Sequence, residues 1–146
     1  MSTDADRATV VIAARSWIGT PYHHAADVQG HGVDCAMILV RVFCDLGVVE
    51  RFDPRPYTRD WFLHRDEERY TSRLLTYAHE VGEALPGDIM LFKIGRCYAH
   101  GAIVVNAEPL TIVHAFAPAR CVVEEVVRQN HDLDEKPRKL FSVWKQ

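Results

Sequence analysis

Cys35 opens an apolar run, Ala36-Met37-Ile38-Leu39-Val40 and then Val42-Phe43, while His100 and His114 lie far downstream in strand-like segments. A thiol and imidazoles are what nucleophilic acyl transfer needs: a sulfur to attack a carbonyl, one ring to take its proton and a second to orient the first. The apolar run reads as a helix with Cys35 at its N-terminus. Unpaired amide donors and about half a positive charge there favour both a thiolate and a developing oxyanion. On that ground this thiol should ionise more readily than an ordinary one. An unselected cysteine is a small buried hydrophobe about four times in five, so the neighbours of Cys35 must shift the balance.

The elements that must position these residues can be read from punctuation and period. Residues from about Asp4 to Ile18 have helical spacing, and Gly19-Thr20-Pro21 stops them. Tyr22 to Val33 has no period and reads as a loop leading to Cys35. The nucleophile helix then runs to about Leu46 and ends at Gly47. Asp53-Pro54-Arg55-Pro56-Tyr57 is extended or turn-like, because a residue before proline is pushed out of the helical region. Tyr70, Leu74, Tyr77, Ala78 and Val81 share a helical face, which predicts a third helix ending before Gly82.

After Pro86-Gly87-Asp88 the pattern turns to short β-rich runs: Ile89 to Ile94, Tyr98 to Val105, Leu110 to Phe116, Cys121 to Val127 and Leu140 to Trp144. Helices first and strands after predict an α+β fold with an antiparallel sheet packed on the helices. In the second run His100 shares a face with Ala102 and Val104; in the third, His114 shares one with Ile112 and Phe116. The connection at Asn106 to Pro109 is hairpin-length, so adjacent strands could set the two imidazoles side by side. The register is not readable from the sequence.

Composition narrows the function classes. With 146 residues, 48% of them hydrophobic, the chain reads as one domain, residues 1–146, with a real core. Its net charge of −3 offers no basic footprint, which disfavours nucleic acid and anionic membranes as partners. Residues 1 to 10 carry two acidic side chains and no apolar stretch, so no signal peptide is expected and the chain should be made in the cytoplasm. No segment is long enough to insert across a bilayer. The four cysteines, Cys35, Cys44, Cys97 and Cys121, read as thiols rather than disulfides. Cys44, half a turn round the helix from Cys35, should pack on the opposite side.

A metal site built from Cys35, Cys97, His100 and His114 is the other chemical reading. Cys97 and His100 are three apart, which in a regular strand sends them to opposite faces, and no Cys-x-x-Cys pair compensates. We therefore expect no metal. His23, His24 and His31, in the loop before Cys35, read as solvated, and the mixed charges from Arg65 to Arg69 read as an exposed helical face.

Five blocks in order carry a family resemblance: Gly19-Thr20-Pro21-Tyr22; Asp34-Cys35 opening an apolar helix; Pro86-Gly87-Asp88-Ile89-Met90-Leu91-Phe92; His100-Gly101-Ala102-Ile103-Val104; and Ile112-Val113-His114-Ala115. Together they span nearly the whole chain and resemble the motifs of NlpC-type cell-wall cysteine peptidases. The resemblance implies a papain-like fold, with the nucleophile helix packed on a small antiparallel sheet or half-barrel. It matches Cys35 to the nucleophile, His100 to the general base, and His114 to the ring-orienting position. Tyr22 matches the tyrosine that joins the Cys35 backbone N–H around the oxyanion. Asp34 matches a position that can hold a substrate amine, although an aspartate there also reads as the N-cap of the helix. The implied reaction is hydrolysis of amides in peptidoglycan stem peptides or muropeptides through a thioester, with no cofactor.

The chain also departs from that pattern. Ala36-Met37 stands where the family commonly has Ser-Gly, which bears on substrate preference. Pro21-Tyr22-His23-His24 lacks the Trp-Gly-Gly often found after the tyrosine and looks like the branch encoded with phage-tail and gene-transfer-particle genes, as does the segment Trp61 to Tyr70. Tail proteins would then be partners, and a tail tip would carry the enzyme to the wall. A structural tail component with this fold and little hydrolysis is the alternative.

Overall fold

In the computed structural model, which describes residues 3–57 and 69–144, six strands form one antiparallel sheet, in the spatial order 79–81, 138–142, 89–94, 97–106, 111–116 and 121–126. The chain runs through α1 (Thr3–Arg15), a two-stranded hairpin of β1 (Asp27–Val28) and β2 (Gly32–Val33), α2 (Cys35–Asp45) and α3 (Arg69–Leu74). The sheet follows with β3 (His79–Val81), β4 (Ile89–Ile94), β5 (Cys97–Asn106), β6 (Thr111–Phe116) and β7 (Cys121–Val126). The short α4 (His131–Asp134) then leads into β8 (Arg138–Ser142). This is the α+β layout that the sequence predicts. No helix among the described residues is long and apolar enough to cross a membrane.

The sheet is buried on both faces, so its central strands read as continuous apolar runs rather than alternations. One face presents Ile89, Leu91, Ile103, Val105, Val113, Ala115, Val122 and Phe141 to the two N-terminal helices. There α1 contributes Val10, Val11 and Ala14, and α2 contributes Met37, Ile38, Val42 and Phe43. Each Val, Leu, Ile, Met or Phe among them contributes about 1.5–3 kcal/mol on leaving water. The other face carries Met90, Phe92, Ala102, Val104 and Ile112 under Val127 and Leu133.

Arg7 pins α1 to the sheet. Its guanidinium reaches Asp88 at 2.8 Å and the Pro86 carbonyl at 3.0 Å, and Asp88 is 1% exposed. Gly87, at φ +90°, lies against the Arg7 backbone, where a Cβ would meet Cα at 3.1 Å. Only glycine combines that conformation with that approach.

Two expectations fail, both because sheet pairing overrides local pattern. The helix predicted to run toward Val81 ends at Leu74, and residues 79–81 join the sheet edge as β3, with His79, Glu80 and Val81 opposite Ser142, Phe141 and Leu140. Cys97 and His100 do not face opposite ways. The register shifts between Phe92 and Lys93, so Cys97 pairs with Ile94 and His100 with Phe92, and the extra residue, Ala99, restores both to one face. Residues 61–68 of the tail-like segment, with most of the 65–69 charge run, lie outside the described residues.

Candidate active site

The α2 N-terminus is built around Asp34. With its backbone extended (φ −113°, ψ −179°), its Oδ1 accepts the Met37 N–H at 2.9 Å, which is an N-cap. Oδ2 accepts the Ala25 N–H at 2.7 Å and the Tyr57 hydroxyl at 2.5 Å. The residue is 2% exposed, and three donors from within the protein already hold its oxygens. Ala25 reaches it from the left-handed conformation, at φ +61°. Cys35 is the first residue of α2, where the sequence places it.

The sulfur of Cys35 meets β5 at a gap in the sheet. Strands β5 and β6 pair only through Ile103↔Val113, Val104↔Ile112 and Asn106↔Thr111, so their ladder stops short of His100 and His114. Val104 directs its N–H and C=O toward the strand-β4 side, bonding Asp88 and Gly87. By alternation, Gly101 directs its own toward the side that β6 has vacated. There the Sγ of Cys35 lies 3.8 Å from the Ala99 carbonyl, and the Gly101 N–H also acts on it. The sulfur thus rests on the backbone of both residues that flank His100.

The two imidazoles bridge the same gap on the face carrying Phe92 and Phe116. Nε2 of His100 lies 2.7 Å from Nδ1 of His114, and the rings meet edge to face with centroids 5.0 Å apart. His114 is fully buried between Phe116, stacked at 4.8 Å, and Glu125, whose Oε1 is 2.6 Å from its Nε2. Asn130 donates to the same Oε1 at 2.8 Å. The His114 hydrogen bond, followed by that from Asn130, holds the Glu125 carboxyl below its usual range.

Burial governs the charge states of Cys35 and His100. It pushes the Cys35 thiol up to about 12, with the Asp34 charge adding to it, against the smaller opposing pull of the Gly101, Cys35 and Ala36 N–H groups. Burial, then His114, pushes His100 down to about 3. The expectation of an easily ionised thiol is overturned: desolvation and one adjacent carboxylate outweigh the helix terminus. At rest Cys35 is a thiol and His100 a neutral imidazole.

Tyr22 lies on a segment bridged to Val33, two residues before α2, and its N–H donates to the Arg120 carbonyl at 2.8 Å. Its phenol and Cys35 both act on the Tyr57 phenol, which burial, then Asp34, pushes far above the usual range, so the three groups converge. Tyr57 and Glu125 carry no signal in the sequence reading. Each depends on a long-range approach that no spacing encodes. His24, read as solvated, is not: its Nε2–H donates to the Tyr57 carbonyl at 3.0 Å, and its ring stands edge-on to Tyr57 at 5.3 Å. Arg55 holds the same segment, donating to the Ala25 carbonyl at 3.1 Å and pairing with Asp27 at 3.2 Å. Cys44 is buried in the core, away from the site. Among the described residues no group of three or more His, Cys, Asp and Glu side chains is placed to hold a metal ion.

No protein-family profile matches the chain, and no curated protein matches it in sequence. Solved structures do. The chain is similar to the NlpC/p60 domain of the peptidoglycan hydrolase SagA, with a TM-score of 0.62 and 21% identity over 92% of this chain and 97% of that one. It is also similar to NlpC1 from Trichomonas vaginalis, with a TM-score of 0.65 and 14% identity over 97% of this chain and 45% of that one. The fold is that of NlpC/p60 domains.

Proposed function

We propose that this protein is a cysteine peptidase of the NlpC type that hydrolyses amide bonds in peptidoglycan stem peptides. The observation that carries the reading is the Cys35 sulfur resting on the backbone on both sides of His100, whose ring is in turn 2.7 Å from His114. The peptidoglycan substrate is supported by the likeness to the SagA domain, itself described as part of a peptidoglycan hydrolase, and by the five ordered motifs.

In this reading His100 takes the Cys35 proton as the sulfur attacks the scissile carbonyl carbon. Because both groups rest neutral, the proton moves only as the attack proceeds. The negative charge that develops on oxygen is met by the Cys35 N–H and the Tyr22 hydroxyl. The C–N bond then breaks, His100 returns its proton to the departing amine, and a thioester remains. Water attacks the thioester with His100 again as base, releasing the acid and restoring the thiol. A substrate amine approaching Asp34 Oδ2 would compete with the Tyr57 hydroxyl, which couples amine recognition there to the 53–57 segment.

Incubation with purified muropeptides, followed by mass spectrometry, tests the proposal. Cleaved stem peptides are expected from the wild type and none from Cys35→Ala. A narrower reading, delivery to the wall within a phage tail or tail-like particle, rests on the Pro21-Tyr22-His23-His24 loop and is tested by co-purification with tail proteins. The strongly protonated thiol and Ala36-Met37 favour a second reading, a structural tail protein with little hydrolysis. Absence of cleavage across several stem-peptide chemistries would select it.

A further inference from the structure

We propose that Glu125 is a positioning residue for this chemistry: its carboxylate dictates which nitrogen of each imidazole carries a proton and so leaves a bare nitrogen on His100 for the thiol. The inference rests on the hydrolase reading. It follows from counting donors along a chain of close contacts. Glu125 Oε1 lies 2.6 Å from His114 Nε2, and His114 Nδ1 lies 2.7 Å from His100 Nε2. An ionised carboxylate only accepts, so His114 Nε2 must carry the hydrogen. With a single N–H on His114, a premise that the histidine spectra test, His114 Nδ1 is left an acceptor. The 2.7 Å contact then requires His100 Nε2–H to donate, and by the same count His100 Nδ1 holds a lone pair.

Without the carboxylate the chain can run the other way. Water at His114 Nε2 can donate as well as accept, which lets His114 Nδ1–H donate to His100 and places the remaining hydrogen on His100 Nδ1. A protonated nitrogen cannot take a proton from sulfur. The choice is transmitted through His114, which is fully buried.

Glu125 is itself held in place. Asn130 donates to its Oε1 at 2.8 Å while the Asn130 side-chain oxygen accepts the Leu133 N–H at 3.1 Å as the N-cap of α4. The sheet register brings the pair together: His114 faces Val123 on β7, and Glu125 is two residues further along the same face. When the thiol proton reaches His100, the positive charge also lies two hydrogen bonds from a carboxylate.

Long-range proton–nitrogen spectra of protein labelled with ¹⁵N in histidine read the tautomers directly, with no substrate present. Wild type is expected to carry a hydrogen on Nε2 alone in both His100 and His114. In Glu125→Ala that single pattern should be lost. Its kcat on muropeptides should fall at least about tenfold with KM little changed, a smaller loss than the roughly ten-thousand-fold cost of a wrong tautomer where a carboxylate contacts the base directly. Glu125→Gln retains an acceptor oxygen and should restore the tautomers and part of kcat. A wild-type His114 protonated on both nitrogens, or tautomers unchanged in Glu125→Ala, would overturn the inference. Tautomers that shift as expected in a protein that cleaves no muropeptide would keep the arrangement and sink the hydrolase reading instead.

Discussion

The hydroxyl of Tyr57 donates to the carboxylate of Asp34 at 2.5 Å, tying the 53–57 segment to the N-cap of α2. One buried acid therefore serves as helix cap, as anchor for the Ala25 turn and as acceptor for a phenol that converges on the thiol.

Tyr57→Phe removes one donor to a buried charge and leaves the ring. A loss of about 1.5–3 kcal/mol in stability is expected, the range for a hydrogen bond to a charged group. Urea unfolding measures it, and an unchanged midpoint would show that the bond does not hold the segment.

Acid stability should depend on His100. Its folded value of about 3 lies below the ordinary 6.5, so between those values the unfolded chain binds the extra proton. Stability is therefore lost as pH falls from 6.5 toward 3, with a slope approaching about 1.4 kcal/mol per pH unit for one proton. Replacing His100 with Gln should flatten that limb. Parallel curves for the two proteins would contradict a buried neutral ring.

Cys35 acts at the alkaline end with the opposite sign. Its value is raised from 9.0 to about 12, so the folded protein keeps a proton that the unfolded chain releases, and stability is lost as pH rises from 9 toward 12. Alkylation of Cys35 in the substrate-free protein should accordingly be slow at pH 7 and accelerate only beyond pH 9. A Cys35 reaction rate with a midpoint below pH 8, read by mass spectrometry, would show that the helix terminus wins over burial after all.

Arg7→Ala should cost about 3–5 kcal/mol, because it strands a buried carboxylate at Asp88 rather than merely removing an ion pair. Chemical denaturation provides the number. A loss under about 1 kcal/mol would mean that water reaches Asp88 once the guanidinium is gone.

The register explains why part of the site was legible and part was not. Cys35, His100 and His114 stand out because chemistry restricts their residue types and because the apolar helix and strand periods around them are strong. The hairpin-length connection accounts for the approach of His100 to His114, whereas Cys35 joins them only through the packing of α2 on the sheet. The neutral resting state was not legible. A helix N-terminus is visible in sequence, whereas the desolvation that outweighs it depends on what packs over the sulfur.

Local pattern was enough for the α+β order, the apolar start of α2 at Asp34-Cys35, five strands of the sheet and the nucleophile and imidazole candidates, since each is set by neighbours a few residues apart. Tertiary pairing alone decided the β3 strand where a helix was expected, the bulge at Ala99 that turns Cys97 and His100 to one face, and the approach of Tyr57 to Asp34 and of Glu125 to His114. Those contacts join residues distant in the chain, and their energy exists only once the sheet register and the packing of α2 against it have formed.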